Sequence, residues 1–411
     1  MKSIIVEGRL ADIDGVRTGQ LRIVDGVIAE VGQRLGPADF RFGDDCLIFA
    51  GMGDIHIHAR EDVTGKETHK ETFTTACAAA LRGGVVHVAD MPNNPAAPID
   101  DRSYQVKEDL VRSRNLAVHF TLYAGIGPGT RPLTRVVPYK AYMGPSVGEL
   151  FFSTLPQLEE TLAHYRGRAV SFHCEDPVLL ETNKHQPTHE ARRPPECELS
   201  ATRFALAMIE KYDLTGKLCH YSVGEGLALI RDAKRRGLRV TAEVTPHHVF
   251  YDTAGITDAN RGWMRMNPPL RAPADRLAML EALRDGTCDY LATDHAPHTL
   301  AEKERGVSGQ PHLDTFGPFA TWLLADRGFT PERVAAICAA NPGEFVNPFL
   351  AEKYGRLLPG YVGSLTVLNL GRSTLVRRED LKTKCGWSPF EGVTFPGSVE
   401  AVFVRGAKAG T

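Results

Sequence analysis

From Phe49 onward, short apolar runs such as Val85 to Ala89, Ala169 to His173 and Tyr290 to Thr293 alternate with longer helix-like stretches such as Glu198 to Tyr212. A run of four to six apolar residues is too short for a buried helix and suits a strand covered on both faces. Strands separated by helices build parallel sheets, and this alternation predicts an α/β fold of the TIM-like (β/α)8 barrel type. Residues 1–49 read differently. Ser3 to Val6, Gln20 to Val24 and Val27 to Val31 are short alternating runs separated by glycine and aspartate turns, a hairpin pattern. After Pro359-Gly360 the hairpin texture returns in Ser364 to Leu368 and Val399 to Val404. We therefore expect a small discontinuous β-sandwich domain made by residues 1–49 and 358–411, packed against a barrel of residues 50–357.

At 411 residues with 43% hydrophobic content, the chain can bury a large core. Its 48 basic and 50 acidic residues leave a formal charge of −2, which gives no long-range attraction to polyanions and argues against a nucleic-acid partner. Apolar runs such as Ala76 to Leu81 cannot span a bilayer, and the start lacks the pattern of a secretory signal, so a soluble cytoplasmic protein is expected. The eight cysteines show no CxxC spacing and are expected to be buried thiols.

Asp54-Ile55-His56-Ile57-His58-Ala59-Arg60 directly follows the apolar run Leu47 to Ala50. In a strand, residues two apart face the same side, so His56 and His58 can offer two imidazoles to one metal. Alone, such a pair is as readily structural. His173, His220 and Asp294 follow other apolar runs, and a barrel gathers the C-terminal ends of its strands at one face. Four histidines and an aspartate could therefore converge. Lys140, in Tyr139-Lys140-Ala141-Tyr142-Met143-Gly144, stands in the same kind of place. A protonated amine cannot ligate, whereas a lysine carbamate would be an anion able to bridge two metals.

With Asp90-Met91-Pro92-Asn93-Asn94, Met266-Asn267-Pro268-Pro269-Leu270-Arg271 and Thr293-Asp294-His295-Ala296-Pro297-His298, these segments resemble the amidohydrolase superfamily over essentially the whole chain. Within it they resemble the dihydroorotases, which reversibly close N-carbamoyl-L-aspartate into dihydroorotate in de novo pyrimidine biosynthesis. The resemblance implies two zinc ions, with His56, His58 and Asp294 on one, His173 and His220 on the other, and carboxylated Lys140 bridging them. It implies hydroxide attack on the cyclic amide, with Asp294 also as general acid and base. It assigns Arg60, Asn93 and His298 to the substrate carboxylate and Asn267 to the pyrimidine ring.

Each assignment has a plainer alternative. Arg60 could pair with Glu61, Asn93 could shape the turn after Pro92, and Asn267 could shape a loop before two prolines. The hydantoinases lack the arginine after the HxH, which makes Arg60 the marker of specificity. The chain departs from the family where Asp62-Val63 follow Arg60-Glu61 and where His312 stands in place of a customary glycine. Competing readings are another cyclic amidase, acting on hydantoins, dihydropyrimidines or allantoin, and a non-catalytic relative used for interaction. A small-molecule substrate and a homodimer or larger homo-oligomer complete the expectation.

Overall fold

The two ends of the chain meet on one strand. In the computed structural model, which describes residues 3–145 and 150–410, strand Cys46–Ala50 runs parallel to Ser3–Asp12 and antiparallel to Leu365–Asn369. Ile48 pairs with Leu10 on one side and Val367 on the other. Around this seam an eight-stranded sheet forms, extended by Gly15–Val24 and Val27–Gly32 on one flank and by Ser398–Val404 and Ala407–Lys408 on the other. All five residues of Cys46–Ala50 are buried, which is why this segment reads as an unbroken apolar run rather than an alternating one. The sheet keeps its own cluster, including Val6, Leu21, Ile23, Val367 and Phe403.

One residue later, Gly51 donates its N–H to the Ser364 carbonyl and the chain enters the barrel with strand Met52–Ile57. Parallel pairing joins Met52–Ile57, Val85–Asp90 and His119–Leu122. A second parallel run joins Ala124–Ile126, Tyr139–Tyr142, Ala169–His173, Thr215–Leu218, Val240–Val244 and Tyr290–Leu291. The ring closes where Ile57 bridges His295 and the His58 N–H donates to the His295 carbonyl at 2.8 Å. This is the TIM barrel expected from the alternation of apolar runs. Ile55, Ala89, Met91, Tyr123, Cys219, Tyr290 and Ala292 form one buried apolar cluster with Val346 of the helix Asn341–Val346.

Local chemistry sets where elements begin and stop. The helix expected over Glu198 to Tyr212 starts earlier, at Pro195–Lys211, because Pro195 suits the first turn, where no N–H is needed. The last barrel strand stops at Leu291, since the N–H and hydroxyl of Thr293 both go to the carboxylate of Asp54. Between Val376 and Phe395 the chain leaves the terminal sheet and lies over the barrel, burying Trp387, Phe390 and Phe395. No helix among the described residues is long and apolar enough to cross a membrane.

Candidate active site

A cavity at the C-terminal ends of the barrel strands is lined by His56, His58, Arg60, Asn93, Lys140, Tyr142, His173, His220, Asn267, Asp294, Ala296, Ser308 and Gly309. Nine of the ten residues singled out from the sequence are in this wall. The tenth, His298, stands behind it, with its Nε2 3.2 Å from Arg60 Nη2. Three of these residues sit in left-handed backbone where the strands turn outward: Arg60 (φ 60°), His220 (φ 38°) and Asp294 (φ 48°). Such conformations cost about 1–3 kcal/mol each and persist where the surrounding packing dictates them. Here the packing is the closure of the barrel.

The histidines converge in pairs. Asp294 Oδ1 lies 3.1 Å from His56 Nε2 and 3.1 Å from His58 Nε2, and the ligand atoms of these three residues lie within 4.8 Å of one another. Across the cavity His173 Nδ1 is 2.8 Å from His220 Nε2. The opposite nitrogens are held from behind: His58 Nδ1 by Asn93 Oδ1 at 2.7 Å, His173 Nε2 by Glu175 at 2.8 Å, and His56 Nδ1 by Glu243. A carboxylate or amide behind a ligating imidazole fixes its tautomer and turns its free lone pair toward the metal. Burial pulls His58 down to about 4 and lowers His173 and His220 as well, keeping them in the neutral form a metal requires. For His56, burial is outweighed by the carboxylates of Glu243 and Asp294, and its pKa rises well above the ordinary value. Burial opposes ionisation of Asp294 too, but His56 and His58 overcome it and hold the carboxyl well below the usual range.

Lys140 is fully buried between the two pairs, and its Nζ donates to Cys219 Sγ at 2.8 Å. Beneath it, Lys217 pairs with Glu243 at 2.5 Å. Cys219, Glu243 and His56 form a second group with metal-ligand spacing. Cys219 was read from the sequence only as a buried thiol.

Glu61 does not pair with Arg60; its carboxylate takes Arg114 and the N–H of Phe73. Arg60 is 2% exposed, and its Nε and Nη1 have no partner among the described residues. Asn93 both lines the cavity and orients His58. His312 is buried, stacks on His247 and donates its backbone N–H to His295 Nδ1, so the residue in the place of a glycine braces the loop after Asp294.

Residue types that give no chemical signal also build the wall. Ser308 and Gly309 join the wall, as do Tyr142 and Ala296, which lie inside the motifs around Lys140 and Asp294. Gly309 has φ 133°, and a Cβ there would lie 2.5 Å from the Ala296 carbonyl and 2.8 Å from His298. Only glycine fits that approach.

The amidohydrolase family profile matches residues 47–408. A dihydroorotase from Geobacillus sp. (strain WCH70) is 33% identical over 430 aligned positions, covering 99% of this chain and 98% of the relative. The dihydroorotase of Bacillus caldolyticus is 35% identical over 386 positions, covering 88% and 86%. The chain belongs to the amidohydrolase family, among the dihydroorotases. The L-hydantoinase (dihydropyrimidinase) of Arthrobacter aurescens superposes with a TM-score of 0.89 over 99% of this chain and 96% of its own, at 23% identity. That likeness speaks for the fold alone. Within the amidohydrolase family, the cavity described above is a candidate metal centre with a cationic wall.

Proposed function

We propose that this chain interconverts N-carbamoyl-L-aspartate and dihydroorotate, as a zinc-dependent hydrolase of cyclic amides in pyrimidine biosynthesis. The observation that carries the reading is the buried guanidinium of Arg60, whose Nε and Nη1 have no partner among the described residues, in the same cavity as the converging histidines. A buried cation without a counter-ion is costly, and a substrate carboxylate supplies what is missing. Hydantoins, dihydropyrimidines without the acid group and allantoin have no carboxylate to offer.

The donor set fits two zinc ions, since four imidazoles and a carboxylate approach from two sides of one cavity, with His56, His58 and His173 each held at the nitrogen turned away from it. His56, His58 and Asp294 would hold one ion, His173 and His220 the other, and Lys140, as a carbamate, would bridge them. When bound, the zinc ions acidify a water and polarise the amide carbonyl. Arg60 orients the ring through its carboxylate, helped by His298, which supports the guanidinium, and by Asn93. Asn267 faces the ring. Asp294 accepts the proton of the attacking water at its carboxylate and delivers it to the ring nitrogen as the C–N bond breaks; ring closure runs these steps backward.

The proposal includes the division into residues 1–49, 50–357 and 358–411, with the terminal sheet folded as a small sandwich. It also includes a cytoplasmic setting and self-association as a homodimer or larger assembly, which sedimentation would measure. The deciding experiment is zinc-supplemented turnover of dihydroorotate and N-carbamoyl-L-aspartate beside hydantoin, dihydrouracil and allantoin. Selective turnover of the first pair, abolished by a chelator, is expected. Preference for a ring without the carboxylate would overturn the reading.

A further inference from the structure

Besides the nitrogens of Arg60, three polar atoms of the cavity wall have no hydrogen-bond partner among the described residues: Nδ1 of the candidate ligand His220, the Tyr142 hydroxyl and Asn267 Oδ1. Tyr142 ends strand Tyr139–Tyr142, two places beyond Lys140, so it faces the same side of the strand one layer nearer the mouth. It is 3% exposed. Its ring centroid lies 6.0 Å from that of His173 and 5.3 Å from Lys140 Nζ, which seats the ring against the ligand cluster. Phenylalanine would fill the same space without burying a hydroxyl. A buried hydroxyl left unsatisfied costs free energy, so this one calls for a partner beyond the described residues, such as a bound ligand.

The chemistry of the unpaired groups divides the ligand between them. A phenol is protonated at neutral pH and donates, as does a guanidinium, whereas Asn267 Oδ1 accepts. A carboxylate only accepts and has room for several donors; a ring N–H needs an acceptor. Arg60 and Tyr142 thus suit the acid group, and Asn267 suits the ring. We propose that the Tyr142 hydroxyl donates a hydrogen bond to the free carboxylate of the substrate, beside Arg60, and is a specificity residue of this site. The proposal rests on the carboxylated substrate inferred above.

The test is Tyr142→Phe in the full-length, zinc-loaded chain. With dihydroorotate, the Michaelis constant should rise about tenfold while kcat stays within about twofold, because a hydrogen bond to the carboxylate is made equally in the ground and transition states. Competitive inhibition by orotate should weaken by about the same factor, and inhibition by uracil, the same ring without the acid group, should not change. Unchanged constants would overturn the assignment. So would a fall in kcat at constant Michaelis constant, or equal weakening of orotate and uracil, each of which moves the hydroxyl to the reacting ring. Loss of zinc or of the folded state would make the hydroxyl structural and overturn it as well. Failure of the unsubstituted chain to turn over dihydroorotate would instead remove the substrate reading itself.

Discussion

Replacing Arg60 by methionine removes the guanidinium while keeping an unbranched side chain in a space that is 2% exposed. If Nε and Nη1 each make one charged hydrogen bond to the substrate carboxylate, and each is worth about 1.5–2 kcal/mol, their loss is about 3–4 kcal/mol. At about 1.4 kcal/mol per decade, the Michaelis constant for dihydroorotate should rise roughly 100- to 1000-fold. The folded state should respond in the opposite sense. No acid pairs with Arg60 among the described residues, so the substitution removes an uncompensated buried charge and forfeits only the 3.2 Å contact with His298. The melting temperature of the Arg60→Met protein should therefore not fall, and bound zinc should stay at the unsubstituted level. Steady-state kinetics, thermal melting and metal analysis read the three quantities on one preparation. An active variant with an ordinary Michaelis constant would refute the reasoning, and so would a variant that melts several degrees lower with its zinc lost.

Lys140→Ala should lose bound zinc and activity together, measured by metal analysis and turnover, and retention of both would remove the bridging role. Gly309→Ala places a Cβ 2.5 Å from the Ala296 carbonyl in a backbone with φ 133°, so about 1–3 kcal/mol of strain should appear as a lower melting temperature and a raised Michaelis constant. Burial pushes Glu198 up to about 7 from its ordinary 4.5, with Arg271 and Ser222 only partly opposing it. A raised carboxyl binds more protons in the folded state between those two values, so its contribution to stability is present at about pH 4.5 and is lost as pH rises through about 7. Glu198→Gln should lose less stability than the unsubstituted chain between pH 5 and 8, and an identical slope in thermal melts would contradict this.

Periodicity carried the barrel. Val85, Val86 and Val88 are buried on both faces of one strand, and the run they make is visible without any partner in view. The ends of elements were less legible because they depend on distant groups. Thr293 belongs to an apolar run, yet it leaves the ladder because the carboxylate of Asp54, 239 positions earlier, takes its N–H and hydroxyl. Val376 to Phe395 has the texture of the terminal domain, but the aromatic face of Trp387, Phe390 and Phe395 finds its cover on the barrel. Sequence shows that such residues must be buried; it does not say against what.

The site divides along the same line. Histidine and aspartate carry their chemistry in the side chain, so His56, His58, His173, His220 and Asp294 could be named as candidates from residue type and from their place after apolar runs, whereas the role of Lys140 came from the family resemblance. Gly309, Ala296 and Ser308 have no such signature and enter the wall only because the chain brings them there. Arg60 and Tyr142 lie between these cases, because arginine and tyrosine are common on surfaces and in cores alike. Whether a guanidinium is solvated, paired or left waiting for a ligand depends on which groups lie within about 4 Å of it. The sequence alone determined the barrel, the candidate metal-ligand residue types and the family; the closing of the ring decided that Glu61 turns to Arg114 while Arg60 Nε and Nη1 and the Tyr142 hydroxyl are left without a partner among the described residues.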